Sequence, residues 1–296
     1  MVNNSALQPD QEAGIAAESS PVDNPAPSRT NSIGAWTLRL LLALLLLFGS
    51  EILLWIDPPG RAATDWLLLG VGYITLSAVL LDLAARYGIR NLYDVMALTA
   101  LYALGVGLLL NPQIGLVNFP VEFMTYVMGA HSLLGLEMLG VFFFLTGGRN
   151  RPARRLLLGY SLWVGFYWGT WVRWSPSLSD WLVDEVSLTT MFTIAGAMLV
   201  VGGVLTAFSF RRAQALSAPD MLLSQNMQGI SAAILAGIFA LRLAEGQVNI
   251  GMVVLTLFVG VLCVGILWFQ RPTKGQFCWM RTCRPNCHQC GNSSPG

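Results

Sequence analysis

The sequence predicts an all-α integral membrane protein with eight transmembrane helices, arranged as two parallel four-helix repeats about a pseudo-twofold axis along the membrane normal. Three observations predict this fold class. The chain is 54% hydrophobic and 11% charged, with a mean hydropathy of +0.59. Its apolar residues form continuous runs of membrane length, and its basic residues are concentrated in alternate loops.

Apolar runs define the predicted helices. A helix needs roughly 20 mostly apolar residues to cross about 30 Å of hydrocarbon. Strands of a membrane barrel would instead show alternating segments of about 10 residues, unlike LLLALLLLF at 40–48. The stretches that meet the helical length are 36–56, 65–84, 92–110, 120–146, 154–174, 187–209, 227–244 and 248–269.

Composition divides the chain into four parts. Residues 1–35 are rich in Ser, Pro, Asn and Ala and predict a disordered cytoplasmic tail. Because the first apolar run follows this polar stretch, we expect the first helix to be retained and not cleaved as a signal peptide. Two four-helix membrane repeats occupy 36–146 and 147–270, and a Cys-rich cytoplasmic tail occupies 271–296.

The distribution of Lys and Arg predicts the orientation, because basic residues that flank membrane helices stay preferentially in the cytoplasm. Only Arg61, Arg173 and Arg242 lie on the side predicted to be outside. The other fourteen of the seventeen basic residues lie on the opposite side. This asymmetry predicts a multi-pass protein of the cytoplasmic membrane with both termini inside. The lipid bilayer is then the expected partner, and the near-neutral net charge of +1 does not suggest nucleic-acid binding.

An internal similarity predicts the tandem repeat. GLVNFPVEFMTYVMG at 115–129 and GQVNIGMVVLTLFVG at 246–260 share five of fifteen aligned residues, and each opens the last helix of its half. Asp-Trp-Leu also recurs at 65–67 and 180–182, before the second helix of each half. Asn118 and Asn249 are interpreted as N-caps of the helices that follow them.

Ionisable residues that occur in one half only are candidates for function. His131 aligns with Leu262, and Glu137 aligns with Trp268. An ionisable side chain at membrane depth is costly and is by default a functional-site hypothesis. His131 predicts a ligand-binding or proton-exchanging site on a face shared by heptad spacing with Met124, Met128, Gly135 and Met138. The alternative is a neutral histidine packed between helices.

Three further acids of the first half receive a simpler interpretation. Glu51, Asp82 and Asp94 lie close to the ends of predicted helices. We therefore expect contact with water to satisfy their carboxylates. Glu122 is expected at the outer membrane interface.

An aromatic face on predicted helix five is the second candidate site. Tyr160, Trp163, Tyr167 and Trp171 follow helical spacing, and Trp174 continues the row. Such rings could bind a quinone, a pigment or another planar lipid, while contact with bulk lipid is the alternative.

The C-terminal tail is the candidate metal site. Cys278, Cys283, Cys287 and Cys290 are expected in the reducing cytoplasm, where clustered cysteines more often bind metal than form disulfides. Four thiolates suit zinc or an iron–sulfur cluster. A flexible reduced tail resting on anionic lipid is the alternative. Cys263 is expected to be a buried apolar residue inside its helix.

Residue counts exclude several chemistries. One histidine in the predicted membrane region leaves no intramembrane pair to ligate a haem within one chain, and the sole lysine, Lys274, follows the last helix. The sequence therefore favours a non-enzymatic small permease, or a membrane subunit that binds a lipophilic ligand between its halves. A structural or assembly subunit of a membrane complex, and an intramembrane redox enzyme with a metal-binding tail, are the alternatives.

Overall fold

The computed structural model describes residues 29–53, 62–89, 91–116, 119–147 and 218–270, with short pieces at 155, 159, 193, 196–198, 200–205 and 207–208. These ranges are helical and contain no β-strand. The α-helices are α1 Arg29–Leu47, α2 Ala63–Tyr87, α3 Leu92–Gly105, α4 Pro112–Leu116, α5 Ser132–Gly147, α6 Gln225–Ala244 and α7 Ile250–Phe269.

Three segments of wider, π-helical turns extend these helices. Phe48–Leu53 continues α1, Val106–Leu110 continues α3, and Phe123–His131 leads into α5. A short 3-10 turn, Ala218–Met221, precedes α6. π-Helical turns are rare in proteins and occur frequently at functional sites.

Six helical segments of the described ranges are long and apolar enough to cross a membrane: Ile33–Leu53, Ala63–Tyr87, Leu92–Leu110, Phe123–Thr146, Gln225–Ala244 and Ile250–Phe269. They coincide with predicted helices one to four, seven and eight. Predicted helices five and six lie for the most part outside the described residues, although a shorter apolar helix, Gly196–Leu205, falls within the sixth. The predicted all-helical class, with helices long and apolar enough to cross a membrane, is thus confirmed for the described ranges.

Local sequence signals set the helix ends. Gly88, with a φ of 65°, ends α2 in the left-handed conformation that glycine adopts without steric cost. Asn91 and Asp94 form a capping box at the start of α3, with Asp94 N donating to Asn91 Oδ1 at 2.9 Å. Asn249 Oδ1 accepts from Gly251 N at 2.6 Å and from Met252 N at 3.4 Å, so its predicted role as an N-cap is confirmed.

The first four spans form the core of the described structure. The helix α1 packs against α2 and α5, and α3 packs against α5. The outer members are α6, which packs on α2, and α7, which packs on α3. Cys263 of α7 is buried against α3, as expected.

Polar contacts at one end of the bundle join the segment before α6 to α1 and α2. Leu223 N donates to Asp82 Oδ1 at 2.7 Å, and Arg39 Nη2 donates to Met221 O at 3.0 Å. Arg86 also pairs with Asp82, at 3.1 Å. All these groups belong to segments that the sequence predicts to lie on the cytoplasmic side, and the structure brings them together at one end of the bundle.

The local backbone differs between the two segments that suggested a repeat. Gly246 has a φ of 69° in the turn after α6, whereas its counterpart Gly115 lies inside α4 without a positive φ. The fourth span begins with π-helical turns, whereas α7 is α-helical from Ile250 onwards. Asn118 lies outside the described residues. The four-plus-four repeat is therefore not established by this structure.

Candidate functional site

A carboxylate is buried where the first span ends. Glu51 lies in the π-helical extension of α1, within the membrane-length segment Ile33–Leu53, and is 0% exposed. The extra residue in each wider turn changes the direction of the following side chains, compared with an α-helix. In this extension Gly49, Ser50, Glu51 and Ile52 are all buried.

Two different helices supply hydrogen bonds to this carboxylate. The hydroxyl of Tyr73, from α2, donates to Glu51 Oε1 at 2.7 Å. The side-chain amide of Asn111, which follows the π-helical end of α3, donates to the same oxygen at 2.6 Å. Tyr73 is ten residues beyond the start of α2, which places it roughly 15 Å along the helix axis. The carboxylate of the first span is thus held inside the bundle by groups from two other spans.

A second polar pair adjoins the first. The hydroxyl groups of Ser50 and Tyr102 are 2.6 Å apart, and the Tyr102 hydroxyl donates to Leu46 O at 3.2 Å. Since that bond uses the single phenolic proton, Ser50 donates to Tyr102. Both residues also interact with the hydroxyl of Tyr73. We call Ser50, Glu51, Tyr73, Tyr102 and Asn111 the Glu51 cluster.

Glycines allow the helices to close around the cluster. A Cβ atom on Gly135 of α5 would lie 2.6 Å from Cδ1 of the Tyr102 ring, and one on Gly49 would lie 2.8 Å from Cγ of Met138. Small residues permit such close approach of two helices. In a membrane, where the hydrophobic effect between helices is weak, this close packing stabilises their association. The absence of a side chain at Gly135 therefore leaves room for the ring of Tyr102.

The chemistry of the cluster is that of a polar site in an apolar bundle. Its members can accept hydrogen bonds, donate them, and exchange a proton at the carboxyl group of Glu51. Intramembrane carboxylates with such partners mark substrate and ion pathways or proton relays. The Glu51 cluster is therefore a candidate functional site.

His131, the leading candidate from the sequence, is also 0% exposed, at the junction of the π-helical turns and α5. Its Nδ1 lies 2.9 Å from Tyr126 O, five residues back in the same helix. Because a carbonyl oxygen only accepts, Nδ1 donates, and Nε2 of the neutral ring carries the lone pair. Nε2 has no partner among the described residues.

The expectation that Met124 shares a face with His131 is wrong. Met124 is 53% exposed, whereas His131 is fully buried. Heptad spacing assumes α-helical geometry, and π-helical turns over Phe123–His131 place these residues on different sides. Of the four residues expected to share a face with His131, the two that follow the junction, Gly135 and Met138, are buried.

The other predicted site residues are Glu137 and the aromatic face of the fifth predicted helix. Glu137 lies in α5 and is 5% exposed. The aromatic face of Tyr160, Trp163, Tyr167 and Trp171 lies outside the described residues, so that site stays a prediction.

The predicted metal ligands Cys278, Cys283, Cys287 and Cys290 also lie outside the described residues. Within the described ranges, no group of three or more His, Cys, Asp or Glu side chains is placed to hold a metal ion. Zinc or iron–sulfur binding by the tail stays a prediction.

Three acids were expected to be satisfied by water, and that expectation is wrong. Glu51, Asp82 and Asp94 are 0%, 6% and 3% exposed. Their described partners are protein groups: the Glu51 cluster, Arg86 with the Leu223 amide, and the capping box of Asn91. Proximity to a helix end in sequence does not give access to water when neighbouring segments cover that end.

Sequence reasoning missed the cluster because its members are scattered over three helices. A usable signal was present in Glu51, an ionisable residue inside a predicted span. The pairing of Tyr73, Tyr102 and Asn111 with it depends on helix rotation, which the apolar pattern of a membrane helix does not reveal. Comparisons of the chain with protein families, curated proteins and solved structures find no match.

Proposed function

We propose that the protein is a small permease of the cytoplasmic membrane, in which the Glu51 cluster binds a small polar solute together with the proton that accompanies it. The observation that supports this proposal is a fully buried carboxylate within a membrane-length helix, held by side chains from two other spans. Burying such a group is costly in either a soluble core or a bilayer, and transport is a function that uses it.

Several features of the proposed architecture extend beyond the described residues. In the proposal, both termini are cytoplasmic, and predicted helices five and six complete a second half that covers α6 and α7. The solute pathway runs between the halves. The carboxyl group of Glu51 carries the proton, and Tyr73 and Asn111 orient it.

A second candidate function is a subunit of a larger membrane complex. It is favoured by α7, whose apolar residues Phe258, Val261 and Trp268 are exposed. Such a face contacts either lipid or a partner helix. Purification in mild detergent separates the two functions, because a subunit retains a stoichiometric membrane partner and a permease is isolated without one.

Reconstitution tests the transport proposal. The purified protein is placed in liposomes, and a panel of labelled small polar solutes is screened for accumulation driven by an acidic exterior. We expect a solute that accumulates with the wild type and not with Glu51→Gln. Asp65→Asn is the matched control, since it makes the same chemical change at an exposed carboxylate of α2. Accumulation that is unchanged in Glu51→Gln would refute the role assigned to this residue.

A further inference from the structure

Arg242, near the end of α6, connects that helix to the end of α3. Its Nη2 donates to Leu110 O at 3.1 Å, and its Nε lies 3.4 Å from Leu109 O. The last carbonyls of a helix have no partner within the helix, and a cation near them is favourable. The side chain is held on its other edge by Glu245 at 3.0 Å and Gln247 at 3.3 Å, and it is 13% exposed.

The residue that follows these carbonyls belongs to the Glu51 cluster. Asn111 comes directly after Leu110, and its side-chain amide donates to Glu51 Oε1 at 2.6 Å. Its backbone N–H donates to Val106 O at 2.8 Å, which closes the last wide turn of the helix. The position of Asn111 is therefore determined by the segment that Arg242 holds.

The helix α6 lies at the edge of the described bundle, where it packs on α2 and contacts the end of the third span. Within α6 only Ser231 and Ile238 are buried. The preceding segment is anchored at the other end of the bundle by the Leu223 amide on Asp82. A helix with few buried contacts and polar attachments at its termini can separate at one end without disrupting a packed core.

We propose that Arg242 is the outer gate of the pathway to Glu51. In the closed state, the guanidinium donates hydrogen bonds to the carbonyls of Leu109 and Leu110, and Asn111 stays bonded to the carboxylate of Glu51. In the open state these bonds are broken and the outer end of α6 moves away. Asn111 then loses its fixed position, and water reaches Glu51. Arg242 is a positioning residue, because it acts on Glu51 through Asn111. This inference rests on the proposed permease function.

Chemical labelling of carboxyl groups tests the gate without any transported solute. The full-length protein in detergent is treated with a water-soluble carbodiimide and glycine ethyl ester. The carbodiimide activates the carboxyl as an O-acylisourea, and the amine displaces the urea to leave an amide. Mass spectrometry of peptides then measures the rate of modification at each acid.

We expect slow modification of Glu51 in the wild type. Arg242→Gln should accelerate it roughly tenfold, equivalent to about 1.4 kcal/mol of opening free energy. Arg86→Gln is the matched control, since it removes an arginine at the opposite end of the bundle, and the rate at Glu51 should stay at the wild-type value. Arg242→Lys, which keeps the charge, should give a smaller acceleration than Arg242→Gln.

Two acids serve as internal references. Asp65 is exposed and should react at the same rate in every variant. Glu137 is buried in α5 and should stay unmodified if the opening is local; its modification in Arg242→Gln would indicate general unfolding. If Arg242→Gln unfolds, the rate at Glu51 is measured in Arg242→Lys, which keeps the positive charge. Glu51 modification at the wild-type rate in a folded Arg242 variant, or equal acceleration by Arg86→Gln, would overturn the gate.

The gate and the permease fail in distinguishable ways. In one outcome, labelling of Glu51 is faster in Arg242→Gln while Glu51→Gln leaves solute accumulation unchanged. That result would support the access route and refute the role of Glu51 in transport. Glu51-dependent accumulation with unchanged labelling in the Arg242 variants would retain the permease and remove Arg242 as its gate.

Discussion

Glu51 and His131 are both fully buried ionisable residues within membrane-length helices, but their partners differ. His131 satisfies Nδ1 on a carbonyl of its own helix, at Tyr126. Glu51 is satisfied by Tyr73 and Asn111, which belong to two other spans. One group is accommodated locally, whereas the other depends on the relative placement of three helices.

This difference decides how each group responds when helices move. A side chain that bonds to its own backbone keeps that bond when helices move relative to one another. A carboxylate shared among three spans responds to any displacement of one span relative to another. Coupling between a proton and a conformational change can use the second arrangement, which is why the proposed function is assigned to the Glu51 cluster and not to His131.

The largest effect is expected from Glu51→Leu. Removing the carboxylate leaves the hydroxyl of Tyr73 and the amide of Asn111 without their acceptor in a buried site, which should lower the free energy of unfolding by roughly 2–4 kcal/mol. Glu51→Gln keeps a carbonyl oxygen at this position and should cost less than half as much. Unfolding in mixed micelles measures both. Equal and small losses would show that the cluster does not hold the bundle together.

Gly135→Ala tests the packing on which the cluster depends. The new methyl group would lie 2.6 Å from the buried Tyr102 ring, so the ring must shift, at a cost of about 1–3 kcal/mol. Gly229→Ala on α6 is the matched control, because nothing lies within 4 Å of a Cβ at that position. The control should be neutral or slightly stabilising, since alanine favours the helix. A harmless Gly135→Ala would mean that Tyr102 is not fixed by α5.

His131→Leu should have a smaller effect. It removes one hydrogen bond within a single helix and should cost about 1 kcal/mol in the same unfolding measurement. We expect solute accumulation to be unaffected, because no described contact joins His131 to the Glu51 cluster. Loss of accumulation in a folded His131→Leu protein would shift the functional site towards α5 and restore the hypothesis drawn from the sequence.

Local features of the chain could be predicted from the sequence, whereas the direction of side chains around a helix could not. The apolar runs located six described spans to within a few residues, because length and hydropathy are one-dimensional properties. The capping role of Asn249 was equally local and is confirmed. The face of Met124 was predicted wrongly, because the sequence gives no sign of the π-helical turns over Phe123–His131.

The candidate site was harder to predict for a related reason. Glu51 was visible as a charge in a span, but its burial depends on how α2 and α3 cover the end of α1. In a soluble helix the polar face would indicate that rotation. In a membrane helix both lipid-facing and buried sides are apolar, so the convergence of Tyr73, Tyr102 and Asn111 emerges only from packing.

The most direct test of the central claim places both buried residues in one transport experiment. Wild type, Glu51→Gln and His131→Leu are reconstituted at equal protein density, and the initial rate of proton-driven uptake is measured for the same solute. We predict that Glu51→Gln reduces uptake to the level of protein-free liposomes and that His131→Leu retains the wild-type rate. Uptake that survives in Glu51→Gln and is lost in His131→Leu would contradict it.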